Sequence, residues 1–265
     1  MDDTQFRFGG MARLYGQTAL ERLQRAHVMV VGIGGVGSWA VEALARSGVG
    51  RLTLIDLDEV CVSNINRQLH ALDETVGRAK VEVMAERVRS IHSEIRVLPV
   101  MEFFTAATAD RLLGIEADGA ESRPEVVIDA IDSMSNKVRL IALCQRASIP
   151  VVVCGAAGGR RDPTRVRASD LGEVTHDRLL SEVRKRLRKE EVFSRETRRF
   201  GIQSIHSIEP QVFPSTNGEV CAERGETDGA GLRLNCASGF GSATFVTGTF
   251  GFAAAERAIN YLLAS

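Results

Sequence analysis

The sequence Val28-Met-Val-Val-Gly-Ile-Gly-Gly-Val-Gly37 sets the architecture of this 265-residue chain. Residues 28–32 are apolar or small and predict a buried strand. The glycines that follow turn the strand into a helix whose free N–H groups point toward a phosphate. The glycines concerned are Gly32, Gly34, Gly35 and Gly37. This strand–turn–helix unit is typical of nucleotide-binding folds, and dehydrogenases also use it.

The residues after the glycines favour ATP over NAD. Asp56 lies 19 residues beyond Gly37 at the end of an apolar run, where a carboxylate can bind both ribose hydroxyls, and Asp58 follows it. Asn64, Arg67 and Lys80 then add a polar side chain and two cations. A triphosphate needs such cations, whereas a hydride-transfer site does not. We therefore predict that these residues bind ATP.

Short apolar runs alternate with helical patterns from residue 28 to residue 154, after an N-terminal helical cap at 1–25. This alternation predicts an α/β fold, a Rossmann-like parallel sheet with helices on both faces. The pattern predicts strands at 28–32, 51–56, 95–100, 126–131 and 150–154, and helices at 36–47, 74–92, 105–114 and 134–147. We expect a nucleotide-binding domain at 1–159 and a substrate-binding or dimerisation part at 160–265.

The second part is predicted to be smaller, with mixed or antiparallel strands. Residues 165–169 alternate like an edge strand, and residues 179–189 predict a basic helix that buries Leu179, Leu180, Val183 and Leu187. Two further strands, 204–213 and 233–236, are expected to frame a glycine-rich loop at 218–231.

Asp132 is the candidate ligand for Mg²⁺. It ends the apolar run Val126-Val-Ile-Asp-Ala-Ile-Asp132, and ligands bind at the carboxyl ends of parallel strands. Mg²⁺ prefers one or two carboxylates together with phosphate oxygens. The alternative role for Asp132 is a helix N-cap, and Asp129 competes for the metal but should lie within the strand. The chain has no GxxxxGK[ST] motif, so we expect attack at the α-phosphate and an acyl-adenylate rather than γ-phosphate hydrolysis.

Composition excludes several classes of protein. The net charge of −1 gives no overall attraction to nucleic acid. The five cysteines include no CxxC pair, so a disulfide framework and structural zinc are not expected, and reduced thiols fit the cytoplasm. Residues 1–5 are acidic, unlike a signal peptide. Residues 237–255 carry no charge, but their small residues favour a buried helix over a membrane span.

The ordered set Gly32-Ile-Gly-Gly-Val-Gly37, Asp56-Leu-Asp58, Asn64-x-x-Arg67, Lys80 and Asp132 resembles the ubiquitin-activating-enzyme-like superfamily, the HesA/MoeB/ThiF adenylyltransferases. The resemblance implies an ATP-binding adenylyltransferase domain in which Asp56 holds the ribose, Arg67 and Lys80 hold the phosphates and Asp132 holds Mg²⁺. It also implies a homodimer, in which Arg13 or Arg7 reaches the phosphates of the neighbouring subunit.

Residues 7–16, 60–68, 127–133 and 235–241 more closely resemble the tRNA threonylcarbamoyladenosine dehydratase branch of that superfamily. This implies ATP-dependent cyclisation of N6-threonylcarbamoyladenosine at position 37, in the anticodon loop of tRNA. Adenylation would make the threonine carboxylate oxygen part of AMP, and the carbamoyl nitrogen would then attack within the same nucleoside. AMP and pyrophosphate would be released.

Residues 160–199 hold 13 Arg and Lys against 8 Asp and Glu, which is a local excess of positive charge. The helix that carries Arg184, Lys185, Arg186, Arg188 and Lys189 is the candidate tRNA contact, with a solvated helix face as the alternative.

Cys236 is either a buried inert thiol or, as the resemblance places it near the active site, a nucleophile or sulfur acceptor served by a cysteine desulfurase or sulfur-acceptor protein. Two other functions compete. One is adenylation of a ubiquitin-like sulfur-carrier protein, which the missing CxxC pairs disfavour. The other is a Rossmann oxidoreductase or a nucleotide-sensing module, which Arg67, Lys80 and Asp132 disfavour.

Overall fold

The structure, a computed structural model, describes residues 3–115, 123–215, 219–222 and 240–264. The helices in these ranges are α1 (Asp3–Tyr15), α2 (Gln17–Arg25), α3 (Gly37–Arg46), α4 (Lys80–Ile91), α5 (Ala109–Leu112), α6 (Met134–Arg146), α7 (Arg178–Lys189) and α8 (Thr244–Ala264). The strands are β1 (His27–Val31), β2 (Arg51–Ile55), β3 (Arg96–Val100), β4 (Val126–Asp129), β5 (Val151–Cys154), β6 (Val166–Asp170), β7 (Gln203–Ser207), β8 (Phe213–Pro214) and β9 (Val220–Cys221).

Seven strands form one sheet in the order β3-β2-β1-β4-β5-β7-β6. Every neighbouring pair is parallel except β6 and β7, which are antiparallel. Strands β8 and β9 form a separate antiparallel pair. The predicted α/β class, a mostly parallel sheet followed by a smaller antiparallel part, is confirmed.

Helices cover both faces of the sheet, so its central strands are buried on both sides. In β1, Val28 and Val30 join the core beneath α3, α4 and α8, while Met29 and Val31 join the core beneath α6 and α7. A strand buried on both faces is apolar at every position, and this explains the continuous apolar run at 28–31.

Two predicted helices of the first part were wrong in extent. The helix expected from residue 74 begins at Lys80, because Gly77 adopts a positive φ of 85° and Ala79 is extended. Ala79 forms an isolated antiparallel bridge with Glu59 instead. The helix expected at 105–114 is limited to Ala109–Leu112.

The second part extends the sheet of the first. The predicted edge strand is confirmed as β6, which lies at the end of the sheet. The strand expected at 204–213 was wrong as one element, because its residues divide between β7, in the main sheet, and β8. The partner strand expected at 233–236, and most of the loop at 218–231, lie outside the described residues. The boundary at 159/160 stays a prediction.

The described part of the uncharged stretch at 237–255 leads into α8. This helix packs along α3, and Val246, Phe250 and Ala254 are fully buried against it. The expectation of a buried helix is therefore confirmed from residue 244 onward. In the part of the chain that the structure describes, no helix is long and apolar enough to cross a membrane.

Candidate functional site

The glycine loop between β1 and α3 is closed too tightly for side chains. Gly32 has a φ of 90°, and a Cβ there would lie 2.7 Å from the carbonyl oxygen of Ala130. A Cβ on Gly37 would lie 1.8 Å from the carbonyl oxygen of Gly32. Glycine is therefore required at both positions. The loop sits at the carboxyl edge of the sheet, between the ends of β1 and β4.

Two side chains hold Ile33, the residue at the top of this loop. Its N–H donates to Asp56 Oδ2 at 2.7 Å, and its carbonyl accepts from His70 Nε2 at 2.7 Å. His70 is buried, its Nδ1 has no partner, and burial lowers its pKa to about 4. His70 is therefore neutral with its proton on Nε2. His70 was not predicted from the sequence, because no motif distinguishes a lone histidine in a loop.

Asp56 lies where the sequence predicted it, directly after β2. Its Oδ2 accepts from Ile33 and its Oδ1 accepts from the N–H of Asp58 at 2.9 Å. Burial raises the pKa of Asp56, while nearby Lys80 opposes the rise. The carboxylate is thus fixed against the glycine loop at the edge where a nucleotide ribose would lie.

Lys80 and Asp58 form an ion pair beside this carboxylate. Lys80 Nζ lies 2.8 Å from Asp58 Oδ2; the Lys80 side chain is 7% exposed and the Asp58 side chain 56% exposed. Lys80 is the first residue of α4, because that helix begins at residue 80 and not at residue 74. Asn64 is buried, and its Oδ1 accepts from the N–H of Cys61 at 3.0 Å. Asn64 therefore shapes the turn that precedes Arg67.

Arg67 lies against the glycine loop. A Cβ on Gly35 would be 3.4 Å from Arg67 Cγ, and the guanidinium donates to the carbonyl of Ser63 at 2.6 Å. The main-chain carbonyl of Arg67 accepts from Trp39 Nε1 at 3.1 Å. Gln68, next to Arg67, is buried with its Oε1 unpartnered and was not predicted from the sequence.

The two carboxylates of β4 and its continuation have different environments. Asp129 is fully buried and pairs with Lys137 Nζ at 2.8 Å; burial raises the pKa of Asp129 and Lys137 opposes the rise. Asp132 is exposed, three residues beyond the strand, and forms no hydrogen bond or ion pair with another described residue. The N-cap of α6 is Ser133, so Asp132 is not that cap.

A segment before and within α8 joins the two sides of the site, which the sequence did not predict. Gly159, in the loop after β5, donates its N–H to the carbonyl of Gly241 at 2.7 Å. Asn66, in the Arg67 segment, donates from Nδ2 to the carbonyl of Ser242 at 2.8 Å, and Thr244 Oγ1 donates to the carbonyl of Asn66. Residues 241–244 therefore connect the loop after β5 to the segment that carries Arg67.

The two N-terminal arginines lie in α1. Arg7 donates to the carbonyl of Ile91 at 3.1 Å, at the end of α4. Lys80 begins the same helix, 11 residues before Ile91, so the Arg7 contact is about 16 Å from Lys80 along the helix axis at 1.5 Å per residue. Arg13 is exposed and has no ion pair or hydrogen bond to another described residue. Arg7 is therefore held at the end of α4 that is farther from Lys80.

The cations of α7 are mostly engaged inside the chain. Arg184 donates to the carbonyls of Leu171 and Val174 at 3.1 and 2.7 Å. Lys185 pairs with Glu182, Arg186 pairs with Glu190, and Arg188 donates to the carbonyl of Thr197. Of the buried stripe, Leu180, Val183 and Leu187 are buried as predicted, and Leu179 is only partly buried.

The candidate nucleophile Cys236 lies outside the described residues. Among the described cysteines, Cys144 and Cys154 are buried, and burial raises the pKa of Cys144 and raises that of Cys154 to about 12. Both thiols are therefore unreactive at neutral pH. In the described ranges, no three His, Cys, Asp or Glu side chains form a group that could hold a metal ion.

The model of the ThiF family matches residues 10–265. The chain is 48% identical over 259 residues to the tRNA threonylcarbamoyladenosine dehydratase of Escherichia coli, covering 97% of this chain and 94% of that protein. It is 46% identical over 264 residues to the enzyme of the same name from Haemophilus influenzae, covering 99% and 95%. The crystal structure of the E. coli enzyme in complex with ATP superposes with a TM-score of 0.84 at 43% identity, covering 100% of this chain and 96% of that one.

Proposed function

The chain belongs to the ThiF family, and on that basis we propose that it is an ATP-dependent tRNA threonylcarbamoyladenosine dehydratase. The reaction cyclises N6-threonylcarbamoyladenosine at position 37 of tRNA by adenylating the threonine carboxylate. One water is lost from the base, and ATP becomes AMP and pyrophosphate.

One observation carries this proposal. Arg67 packs against Gly35 of the glycine loop, Lys80 interacts with Asp56, which binds Ile33 of that loop, and Asp132 is two residues after Ala130, whose carbonyl approaches Gly32. This set provides cations for the phosphates and a carboxylate that no other described residue pairs with or hydrogen-bonds. The match to the two dehydratases covers nearly the whole chain, including the part after residue 160.

Each site residue has a role in this chemistry. The glycine loop binds phosphate through its N–H groups, and Asp56 binds the ribose. Arg67 and Lys80 stabilise the charge that develops on the α-phosphate and on departing pyrophosphate. Lys80 exchanges Asp58 for phosphate at little cost, because that carboxylate is half exposed. Residues 241–244 keep the Arg67 segment and the loop after β5 at a fixed separation.

We propose Asp132 as the ligand of Mg²⁺. The residues fit, because Asp132 is exposed and makes no ion pair with any described residue, whereas Asp129 is neutralised by Lys137. Mg²⁺ bound through one carboxylate and phosphate oxygens needs no cluster of three protein ligands. When bound, Mg²⁺ would neutralise phosphate charge.

We propose a homodimer in which Arg13 reaches the nucleotide of the partner subunit. Arg7 is held at the far end of α4, so Arg13 is the better candidate. Phe245 and Phe252 of α8 are 58% and 50% exposed, and Val62 near Arg67 is 67% exposed, which provides apolar surface for a second copy. Sedimentation as a fully active monomer at micromolar concentration would contradict the dimer.

We also propose that the protein acts in the cytoplasm, where tRNA and ATP are available. The cysteine content supports this location, because five cysteines without a CxxC pair fit a reducing compartment. Sulfur transfer to Cys236 from a cysteine desulfurase or sulfur-acceptor protein stays a prediction that rests on the resemblance alone.

The direct test supplies the purified protein with ATP, Mg²⁺ and tRNA that carries threonylcarbamoyladenosine. We expect AMP and pyrophosphate in equal amounts, and mass spectrometry of the digested tRNA should show loss of one water from the modified nucleoside. The control is the same tRNA without the threonylcarbamoyl group, which should release no pyrophosphate. Pyrophosphate release only with a ubiquitin-like protein ending in Gly-Gly would establish the sulfur-carrier function instead.

A further inference from the structure

The end of α7 and the loop after it enclose a shallow cavity of about 250 Å³. Three cations line it, with one carboxylate and one aromatic ring: Arg188, Lys189 and Arg195, then Glu191 and Phe193, together with Ser194. The lining therefore carries a net positive charge of two.

The walls of this cavity are held in place by internal contacts. Phe193 stacks on Phe200 with ring centroids 4.3 Å apart and an interplanar angle of 11°. The guanidinium of Arg188 lies 5.1 Å from the centroid of Phe200 and donates to the carbonyl of Thr197. These contacts fix the Arg188 guanidinium in one position, so its charge at the cavity wall is preorganised.

Lys189 and Arg195 differ from the neighbouring cations in having no partner. Both are exposed, and neither forms an ion pair or hydrogen bond with another described residue. Lys185 and Arg186, by contrast, each pair with a carboxylate. Among the described residues, the cations beside the cavity that make no internal hydrogen bond or ion pair are therefore Lys189 and Arg195.

The cavity lies far from the nucleotide site. Helix α7 begins at the carboxyl edge, where its N-cap Asp177 accepts from the N–H of Ala156 just after β5. It runs 12 residues, about 18 Å, toward the amino edge, where Phe200 leads into β7. Arg178, Lys185 and Lys189 recur at helical spacing along one exposed face. This row of cations connects the nucleotide edge to the cavity.

We propose that the cavity binds a backbone phosphate of the tRNA, away from the reacting base, and this rests on the proposed function. A row of cations about 18 Å long matches a chain of phosphates better than a single anion. A protein partner would need apolar surface, yet none of the large exposed apolar side chains lies within described residues 123–215. RNA-binding surfaces are polar and basic, as this surface is.

The test is the double substitution K189Q/R195Q, compared with R46Q/R111Q. The control removes the same charge from two exposed arginines of the first part, which pair with Glu42 and Glu102. Filter binding of tRNA across a salt series should show that K189Q/R195Q reduces the log–log slope by about 0.7–0.9 per lost contact. Two such contacts predict roughly 10-fold to 30-fold weaker binding near physiological salt. The control should keep the parent slope.

A kinetic measurement distinguishes phosphate binding from a role in catalysis. K189Q/R195Q should raise KM for full-length tRNA and leave kcat unchanged. With a trinucleotide that contains the modified adenosine, variant and parent should have equal rates, because this substrate does not reach the cavity. An unchanged tRNA slope would overturn the proposal and leave the cavity to an acidic protein. If the parent itself neither binds nor converts tRNA, the proposed function fails instead.

Discussion

Two regions of the molecule carry many charged residues: the carboxyl edge of the sheet, where the nucleotide site is proposed (the nucleotide edge), and the basic segment at 160–199. Their charged side chains have different partners. At the carboxyl edge of the sheet, Lys80 pairs with a half-exposed carboxylate, and Asp132 has no partner among the residues that the structure describes. In α7, Arg184 donates to two main-chain carbonyls and is half-buried. A carboxylate partner at the surface can be exchanged for a ligand, whereas a carbonyl inside a loop cannot be given up without disturbing the fold. Charge counts in a sequence therefore overestimate the charge available for binding.

The largest effect is expected at Asp132. We predict that Asp132→Asn abolishes pyrophosphate release while the variant folds like the parent, because it keeps the volume but removes the charge that would hold Mg²⁺. Pyrophosphate release and thermal unfolding measure the two properties. The control is Asp110→Asn in α5, a carboxylate that the proposed site does not include, and it should retain the parent rate. Parent activity in Asp132→Asn would show that Asp132 is not the metal ligand.

The next effect concerns the cations of the nucleotide edge. Arg67→Ala and Lys80→Ala should each reduce kcat by roughly 10²–10³-fold, because each removes a donor that stabilises charge in the transition state. Arg78→Ala is the matched control, since Arg78 is exposed, pairs with Glu86 and lies two residues from Lys80. A loss of equal size in the control would mean that the local charge matters rather than these two contacts.

A third test asks whether the α7 cations support the fold rather than bind RNA. Arg184→Gln should lower the free energy of unfolding by about 1.5–3 kcal/mol, because hydrogen bonds from a charged group to two carbonyls are lost. Lys185→Gln should change it by less than about 0.5 kcal/mol, because its ion pair with Glu182 is exposed. Denaturant unfolding measures both. A weaker salt dependence of tRNA binding in Arg184→Gln, without loss of stability, would contradict this assignment.

The parts of the site that the sequence predicted are those set by local spacing. Gly32 and Asp56 directly follow β1 and β2, and Asp132 lies three residues after β4, so their places depend only on where apolar runs end. The predicted start of α4 was wrong, because a bridge between Ala79 and Glu59 competes with helix formation. These two residues are 20 positions apart in sequence, so no local pattern predicts the bridge. The 241–244 connection and the His70 contact join residues 37 to 178 positions apart, and no local pattern reports such pairs.

The smallest effect tests whether His70 positions the glycine loop. His70→Phe retains a ring but removes the donor to the carbonyl of Ile33, so KM for ATP should rise by roughly 2-fold to 12-fold, the equivalent of one hydrogen bond of about 0.5–1.5 kcal/mol. We expect little change in kcat, because His70 does not contact the reacting atoms. His27→Gln is the control, since His27 is also buried but lies at the opposite end of β1.

The pH dependence of stability, measured beside KM for ATP, distinguishes the effect of burying a histidine from the effect of the hydrogen bond between His70 and Ile33. Burial lowers the pKa of both His70 and His27 to about 4, below the value near 6.5 of an unfolded histidine. The unfolded chain therefore binds more protons between pH 6.5 and 4, and the free energy of unfolding falls as the pH falls through that range, by at most about 1.4 kcal/mol per pH unit for each histidine. Either substitution should reduce this acid sensitivity, but only His70→Phe should also raise KM for ATP. If His27→Gln raises KM for ATP equally, then destabilising β1 is enough to disturb the glycine loop, and the hydrogen bond between His70 and Ile33 has no specific role.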